Sequence, residues 1–258
     1  MQRNGIVLFE NITAFFGEEV FMEIILVGAC GRMGREVAKN LFDDMHITAS
    51  VDLRSHFRNI SDYRGDADVI IDFSSHTATE EVLNYAVSRH LPCVIASTGQ
   101  TSRERAALAR AAARIPVFYS ENMSVGIAVL LEAAKAALSI MKDAEAEIIE
   151  KHHLTKLDAP SGTALMLARE LLREGGRIIS ARDGDEVRAP HDIGVSSVRI
   201  GSIKGYHEII ISNGEETLTF SHDVDDRSVF ARGALTAARF VCKREKGLYG
   251  MYDLIHLR

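Results

Sequence analysis

Short, continuously apolar runs alternate with longer amphipathic stretches through the first half of the chain. The runs EIILVG (23–28), ITASVD (47–52), DVIIDFS (68–74), PCVIAS (92–97) and IPVFYS (115–120) read as strands. Between them MGREVAKNLF (33–42), TEEVLNYAVSRH (79–90) and SRERAALARAAAR (102–114) read as helices. A strand that is apolar throughout needs cover on both faces. This alternation therefore predicts a doubly wound α/β domain with a parallel sheet over residues 22–123. The pattern then changes. After a long apolar helix, SVGIAVLLEAAKAALSIM (124–141), most segments are strand-like: AEIIEKHH (146–153), RIISAR (177–182), VSSVRIG (195–201), YHEIIIS (206–212) and ETLTFSHD (216–223). TALMLARELLRE (163–174) is the one clear helix among them. Asn213-Gly214 separates two of these runs and is a strong signal for a tight hairpin. Residues 124–227 are thus expected to form a second, α+β domain with a mostly antiparallel sheet. The segment 228–258 carries the amphipathic VFARGALTAARFVCK (229–243) and is expected to return to the first domain.

Residues 1–21 stand outside this pattern. Glu10, Glu18 and Glu19 interrupt an apolar stretch that is too short to span a bilayer and makes a poor signal peptide. Met22 directly precedes the first strand, so residues 1–21 read as a non-native or peripheral extension, with an extra edge strand or helix as the rival. The net charge of −6 argues against a general nucleic-acid binder, so any anionic ligand must be drawn by a local cluster of donors. Cys30, Cys93 and Cys242 lie far apart with no CxxC pair, which signals neither a disulfide framework nor a zinc site and fits a reducing cytoplasm.

Two stretches carry chemistry. The first is GACGRMG, Gly28 to Gly34, placed between a strand and a helix. Its glycines allow a tight turn and close approach of a diphosphate, while the helix start offers free N–H groups and a positive dipole end. The spacing is GxxGxxG, weak evidence alone, but Asp52 ends the second strand, where an acid can accept hydrogen bonds from a ribose. A strand-end turn residue facing water is the bland alternative for Asp52. The acid favours NADH, whereas Arg54 and Arg32 could offset its repulsion of the extra phosphate of NADPH. ASTG (Ala96 to Gly99) and SENMS (Ser120 to Ser124) end later strands, where ligand crevices form in open α/β sheets.

The second stretch is EIIEKHHLTKLDAPSGTAL, Glu147 to Leu165. On a strand, His152 and His153 point to opposite faces and so meet different surroundings. The pair makes a poor metal site, because no third ligand follows at suitable spacing, and no metal is expected. Asp158 or Ser161 can cap the following helix, leaving Gly162 and Thr163 to present N–H groups to a carboxylate beside Lys156. Surface histidines next to an ordinary capped helix would be the structural reading. The concentration of proton carriers beside an anion seat instead suits reduction of a small acidic C=N or C=C substrate, with hydride arriving from a nicotinamide.

From Met22 almost to the C-terminus the chain resembles the 4-hydroxy-tetrahydrodipicolinate reductase (dihydrodipicolinate reductase) family of the diaminopimelate route to lysine. The likeness is carried by HHLTKLDAPSGTA, VGACGRMGREV, VIIDFS, STG, NMSVGIAVL and RSVFARGAL. It implies a Rossmann-type first domain and a second domain whose sheet drives homotetramer formation. It also implies NADH or NADPH as cofactor and a small dicarboxylate as substrate, with neither nucleic acid nor membrane as partner. By motif position, His152 would be the acid/base residue and Lys156 the proton donor, while His153, Gly162 and Thr163 would bind substrate carboxylates. Gly28, Ala29, Cys30, Gly31, Arg32, Met33, Asp52, Ala96, Ser97, Thr98, Ser120, Glu121, Asn122 and Met123 would contact the nucleotide. Two stretches depart from the usual pattern: Ala96-Ser97-Thr98-Gly99 replaces Gly-Thr-Thr-Gly, and Glu121-Asn122-Met123-Ser124 replaces Ala-Asn-Phe-Ser. The segment from Asp52 to Val69 is also short, which predicts a compact first domain. Another two-domain oxidoreductase, such as an amino-acid dehydrogenase, would share the glycine loop but not the HHLTKLDAPSGT run. A non-catalytic NAD(H) sensor would usually bring a DNA-binding module, and no basic recognition helix is visible.

Overall fold

The structure is a computed structural model that describes residues 21–256. The reading of residues 1–21 as an extension falls, but for Phe21, outside the described residues. Strands β1 (Met22–Val27), β2 (Met45–Val51), β3 (Val69–Asp72), β4 (Cys93–Ile95) and β5 (Pro116–Tyr119) are joined by helices α1 (Arg32–Lys39), α2 (Thr79–Arg89) and α3 (Ser102–Ala112). All pair in parallel, and the sheet runs β11-β5-β4-β3-β1-β2 with β11 (Gly247–Tyr249) at the edge. Side chains along β1 alternate between two cores. Ile24 and Leu26 pack with Val37 of α1 and with Ala234, Ala238 and Val241 of α6 (Ser228–Val241). Ile25 and Val27 pack with Val82 and Ala86 of α2 and Leu108 of α3. Both faces are covered, which is why the central strands β1, β3 and β4 are largely apolar on both sides.

Helix α4 (Val125–Ile140) leads into the second sheet, built from β6 (Glu145–His152), β7 (Ile178–Ser180), β8 (Ile193–Arg199), β9 (Tyr206–Ser212) and β10 (Thr217–Asp223). The order is β10-β9-β6-β8-β7. Here the architecture is more mixed than the pattern suggests: β10/β9 and β9/β6 are antiparallel, but β6/β8 and β8/β7 are parallel. The physical reason is the connection. Helix α5 (Gly162–Leu171) follows β6 as a crossover, which returns the chain in the same direction. Helices α4 and α5 cover one face, where Ile148, Val195, Ile209 and Ile211 meet Ile127, Ala134 and Leu167. The hairpin at Asn213-Gly214 forms with a four-residue connection rather than a two-residue one. Asn213 Oδ1 accepts the N–H groups of Glu215 (3.1 Å) and Glu216 (2.9 Å), and Gly214 takes φ +90°. The short edge strand β11 and helix α7 (Met251–Ile255) close the chain against the first sheet.

Candidate active site

The strand order reverses at β1, which lies between β2 and β3. At such a switch point the turns after neighbouring strands run apart and leave a crevice. Gly28 turns the chain there with φ +79°, and a Cβ on it would come 2.7 Å from the backbone of Phe73. A Cβ on Gly34 would run into the Gly28 carbonyl, so α1 can sit this close to the loop only with glycine at that position. Gly31 caps α1 without a side chain, so no side-chain group occupies the first-turn N–H groups. Asp52 reaches this loop. Its carboxylate accepts the Cys30 N–H (3.2 Å) and the Arg54 N–H (3.1 Å), and Arg54 also bonds the Cys30 carbonyl through Nη2 (3.0 Å). Burial raises the Asp52 carboxyl, but these N–H groups and the Arg54 guanidinium outweigh it and hold it below the ordinary range.

Two clefts adjoin at Gly31, Phe73 and Ser74. One, of about 580 Å³, is lined by Gly28, Asp52, Leu53 and Arg54. The other, of about 510 Å³, is lined by Arg32, Met33, Ala96, Ser97, Thr98, Glu121, Asn122 and Met123. Helix start, close-approach glycines and paired clefts fit an extended dinucleotide. Within the second cleft the loop after β5 is braced from both sides. Ser120 Oγ donates to the Asn122 carbonyl (2.6 Å), and the Ser124 N–H donates to Asn122 Oδ1 (2.8 Å). Asn122 Nδ2 then donates to Thr163 Oγ1 (2.9 Å), tying this loop to the start of α5.

On the second sheet, β6 buries Ala146, Ile148, Glu150 and His152 on its helix-covered face. His152 is buried and His153, just past the strand, bonds Thr155 Oγ1 through Nδ1 (2.9 Å), so the two histidines do occupy different surroundings. Of the two possible caps it is Ser161 that serves, its Oγ accepting the Ala164 N–H (3.2 Å). No atom would meet a Cβ on Gly162, so the start of α5 is open on that side. Lys156 Nζ donates to Asp158 Oδ1 (2.7 Å). Burial alone would raise Asp158, but the Lys156 ammonium and the backbone of Gly162 lower it. Desolvation and then the charges of Arg227, His152, Lys156 and Lys204 hold His153 below its ordinary value, as expected in a cationic pocket. A proton carrier, the start of α5 and several positive charges therefore lie close together, beside the second cleft.

The model of the dihydrodipicolinate reductase N-terminus matches residues 22–123, and that of its C-terminus matches residues 126–255. The chain belongs to the dihydrodipicolinate reductase family. It is 38% identical to the 4-hydroxy-tetrahydrodipicolinate reductase of Caldanaerobacter subterraneus subsp. tengcongensis over 92% of this chain and 99% of that protein. The corresponding protein of Rickettsia bellii is 37% identical over 91% of this chain and 94% of its own length. Among solved structures, the dipicolinate-bound dihydrodipicolinate reductase of Paenisporosarcina sp. TG-14 superposes with a TM-score of 0.72 at 20% identity, covering 92% of this chain and all of that one (100%). As a family member, the chain is an NAD(P)H-dependent oxidoreductase that reduces 4-hydroxy-tetrahydrodipicolinate. Among the described residues no helix is long and apolar enough to cross a membrane, and no group of three or more His, Cys, Asp or Glu is placed to hold a metal ion.

Set against this reductase fold, the residues singled out in the sequence divide into three groups. Gly28, Gly31, Arg32, Met33, Asp52, Ala96, Ser97, Thr98, Glu121, Asn122 and Met123 line the two clefts. Ala29, Cys30 and Ser120 do not: Cys30 contributes its N–H to Asp52, and Ser120 braces the loop from behind. His152, His153, Lys156, Gly162 and Thr163 gather around the end of β6 and the start of α5. Two residues of the second departure from the family pattern find a place. Glu121 bridges Arg105 of α3 (3.0 Å) and Arg169 of α5 (2.6 Å), and Met123 is buried in the core beneath α6. Other residues went unnoticed in the sequence. Buried Asp72 receives Ser74 Oγ (2.5 Å) and Ser97 Oγ (3.0 Å), pinning two strand ends together, and burial pushes its carboxyl up. Its signal was visible as an acid closing the apolar run VIID. Arg199 and His207, in contrast, carry no local mark.

Proposed function

We propose that reduction takes place where the cleft lined by Thr98 and Met123 meets the start of α5, with His152 as the acid/base group and Lys156 as the proton donor. The observation that carries this reading is the Asn122–Thr163 hydrogen bond, which sets the cleft against the helix start. The N–H groups of Gly162 and Thr163, with the α5 dipole behind them, hold one substrate carboxylate. His153, in the company of Lys204 and Arg227, faces the other. A bound nicotinamide supplies the hydride. Lys156, released from Asp158, and His152 deliver and relay the proton that balances it. Overall, 4-hydroxy-tetrahydrodipicolinate, NAD(P)H and a proton give tetrahydrodipicolinate, NAD(P)⁺ and water.

NADH is assigned as at least the equal of NADPH, because Asp52 faces the adenosine-side cleft and Arg54 is committed to it. Residues 22–123 together with 228–258 act as the nucleotide domain, and residues 124–227 as the substrate domain. A homotetramer covers the helix-free face of the second sheet, which carries Ile149, Val198 and Ile210, and light scattering tests this directly. The activity test couples nicotinamide oxidation to aspartate semialdehyde, pyruvate and the preceding synthase. His152→Gln and Lys156→Ala should each lower kcat by about 10²–10⁴-fold with nucleotide affinity little changed. Near-normal kcat in both folded variants would overturn the assignment.

A further inference from the structure

One buried carboxylate joins His152, the cap of α5 and an arginine of β8. Glu150 lies two residues before His152 on the same face of β6 and has no exposed surface. Its Oε2 accepts from His152 Nδ1 (2.5 Å) and from Arg199 Nη1 (2.8 Å). Its Oε1 accepts from Arg199 Nη2 (2.7 Å) and from the backbone N–H of Ser161 (3.1 Å), the cap of α5. Arg199 lies on β8 in direct register with His152, so the parallel pairing of the two strands delivers the guanidinium to this point. Arg199 also donates to the Asp158 carbonyl, in the loop that carries Lys156. Opposite, His207 of β9 meets the His152 ring edge-on at 5.3 Å between centroids and bonds Ser161 Oγ through Nε2 (3.2 Å). The backbone at Gly205 passes the far nitrogen of His152: a Cβ there would lie 3.3 Å from Nε2.

We infer that Glu150, clamped by Arg199, is a positioning residue that holds the His152 proton on Nδ1, leaves Nε2 to exchange protons with substrate, and locks the histidine to the carboxylate seat through the Ser161 N–H. The inference rests on the reading of His152 as the acid/base group. A ring nitrogen bonded to a fixed carboxylate has its tautomer set by that bond. The charge of the arrangement is stable. Burial would raise Glu150, but hydrogen bonds from His152 and Arg199 overcome it and hold the carboxyl at about 2, so it stays ionised at neutral pH. The charged and titratable groups around His152 are then Glu150 on its own strand, Arg199 on β8, His207 on β9, and His153 and Lys156 on the following loop. His207 is kept neutral by burial and by the charge of His152, so it does not compete for the carboxylate.

The first test uses the unmodified protein. In ¹⁵N spectra of the imidazoles above neutral pH, His152 should show its proton on Nδ1, whereas free histidine favours the other nitrogen; finding it on Nε2 overturns the inference. The second test is a cycle of Glu150→Gln, His152→Gln and the double variant. Glu150→Gln should lower kcat by about 10–100-fold, the range for partners that orient a functional histidine, with a smaller change in KM. It should also move the alkaline limb of kcat to lower pH, because a carboxylate favours the protonated ring. In the His152→Gln background, Glu150→Gln should cost no further kcat, since a residue that acts through another is not additive with it. Multiplying losses or an unmoved limb would make Glu150 a structural ion-pair member only and overturn the inference. If His152→Gln by itself keeps near-normal kcat, it is the acid/base reading that fails. The tautomer measurement decides the orientation even if Glu150→Gln does not fold.

Discussion

His207 should make the protein lose stability in mild acid. The side chain is buried beneath α5, its Nε2 against Ser161 Oγ and its Nδ1 without a partner. Burial, then the charge of His152, pushes it down from the ordinary value of 6.5 to about 3. Between those two values the unfolded chain binds a proton that the folded protein refuses, so stability falls as pH drops through this window and is fully present above it. From pH 7 to pH 5 the single-site linkage amounts to about 2 kcal/mol. For a chain of this size that corresponds to a fall in Tm of about 4–8 °C. The assay is thermal unfolding at pH 7 and pH 5 of the protein and of His207→Gln, which cannot titrate. Whatever the variant costs at pH 7, its pH dependence should be shallower by about 2 kcal/mol. Parallel dependence in the two proteins would refute the argument.

Three further outcomes are expected. Asp52→Ala removes the carboxylate and frees Arg54, so the ratio of kcat/KM for NADPH to that for NADH should rise roughly tenfold or more; an unmodified enzyme already strongly selective for NADPH would show that arginine governs the site. Thr163→Pro removes an N–H from the carboxylate seat at a helical position that tolerates proline, and with it the hydroxyl that accepts from Asn122, so it should raise substrate KM by about 10–100-fold and lower kcat as well; steady-state kinetics in protein of unchanged Tm would check it. Gly233→Ala would drive a Cβ into the Met123 carbonyl, so α6 must shift from the loop it supports. Overpacking of this kind costs about 1–3 kcal/mol, seen as a lower Tm together with weaker nucleotide binding, and an unchanged melt would mean that the loop yields freely.

What the sequence determined by itself is whatever depends on neighbours along the chain. The glycine loop, the acid at Asp52, a cap just before α5, the different surroundings of His152 and His153 and the turn at Asn213-Gly214 each follow from backbone geometry within a few residues. The apolar run VIID and its neighbours likewise announced a sheet covered on both faces. Their order along the chain was enough to identify the reductase family and to collect most of the residues that line the second cleft. Tertiary structure decided the rest, because it concerns pairs distant in sequence. Arg199 reaches Glu150 only through the β6/β8 register, and the parallel sense of that pair depends on where α5 returns the chain. Asn122 meets Thr163 across the two halves, and Glu121 joins α3 to α5. Strand β11 is three residues long, too short for any periodicity, and exists because β5 presents it an open edge. Glutamate within a strand reads locally as a solvent-facing residue. Only an arginine brought from another strand makes it the centre of a site, since a charge enters a protein interior only where its partner is already in place.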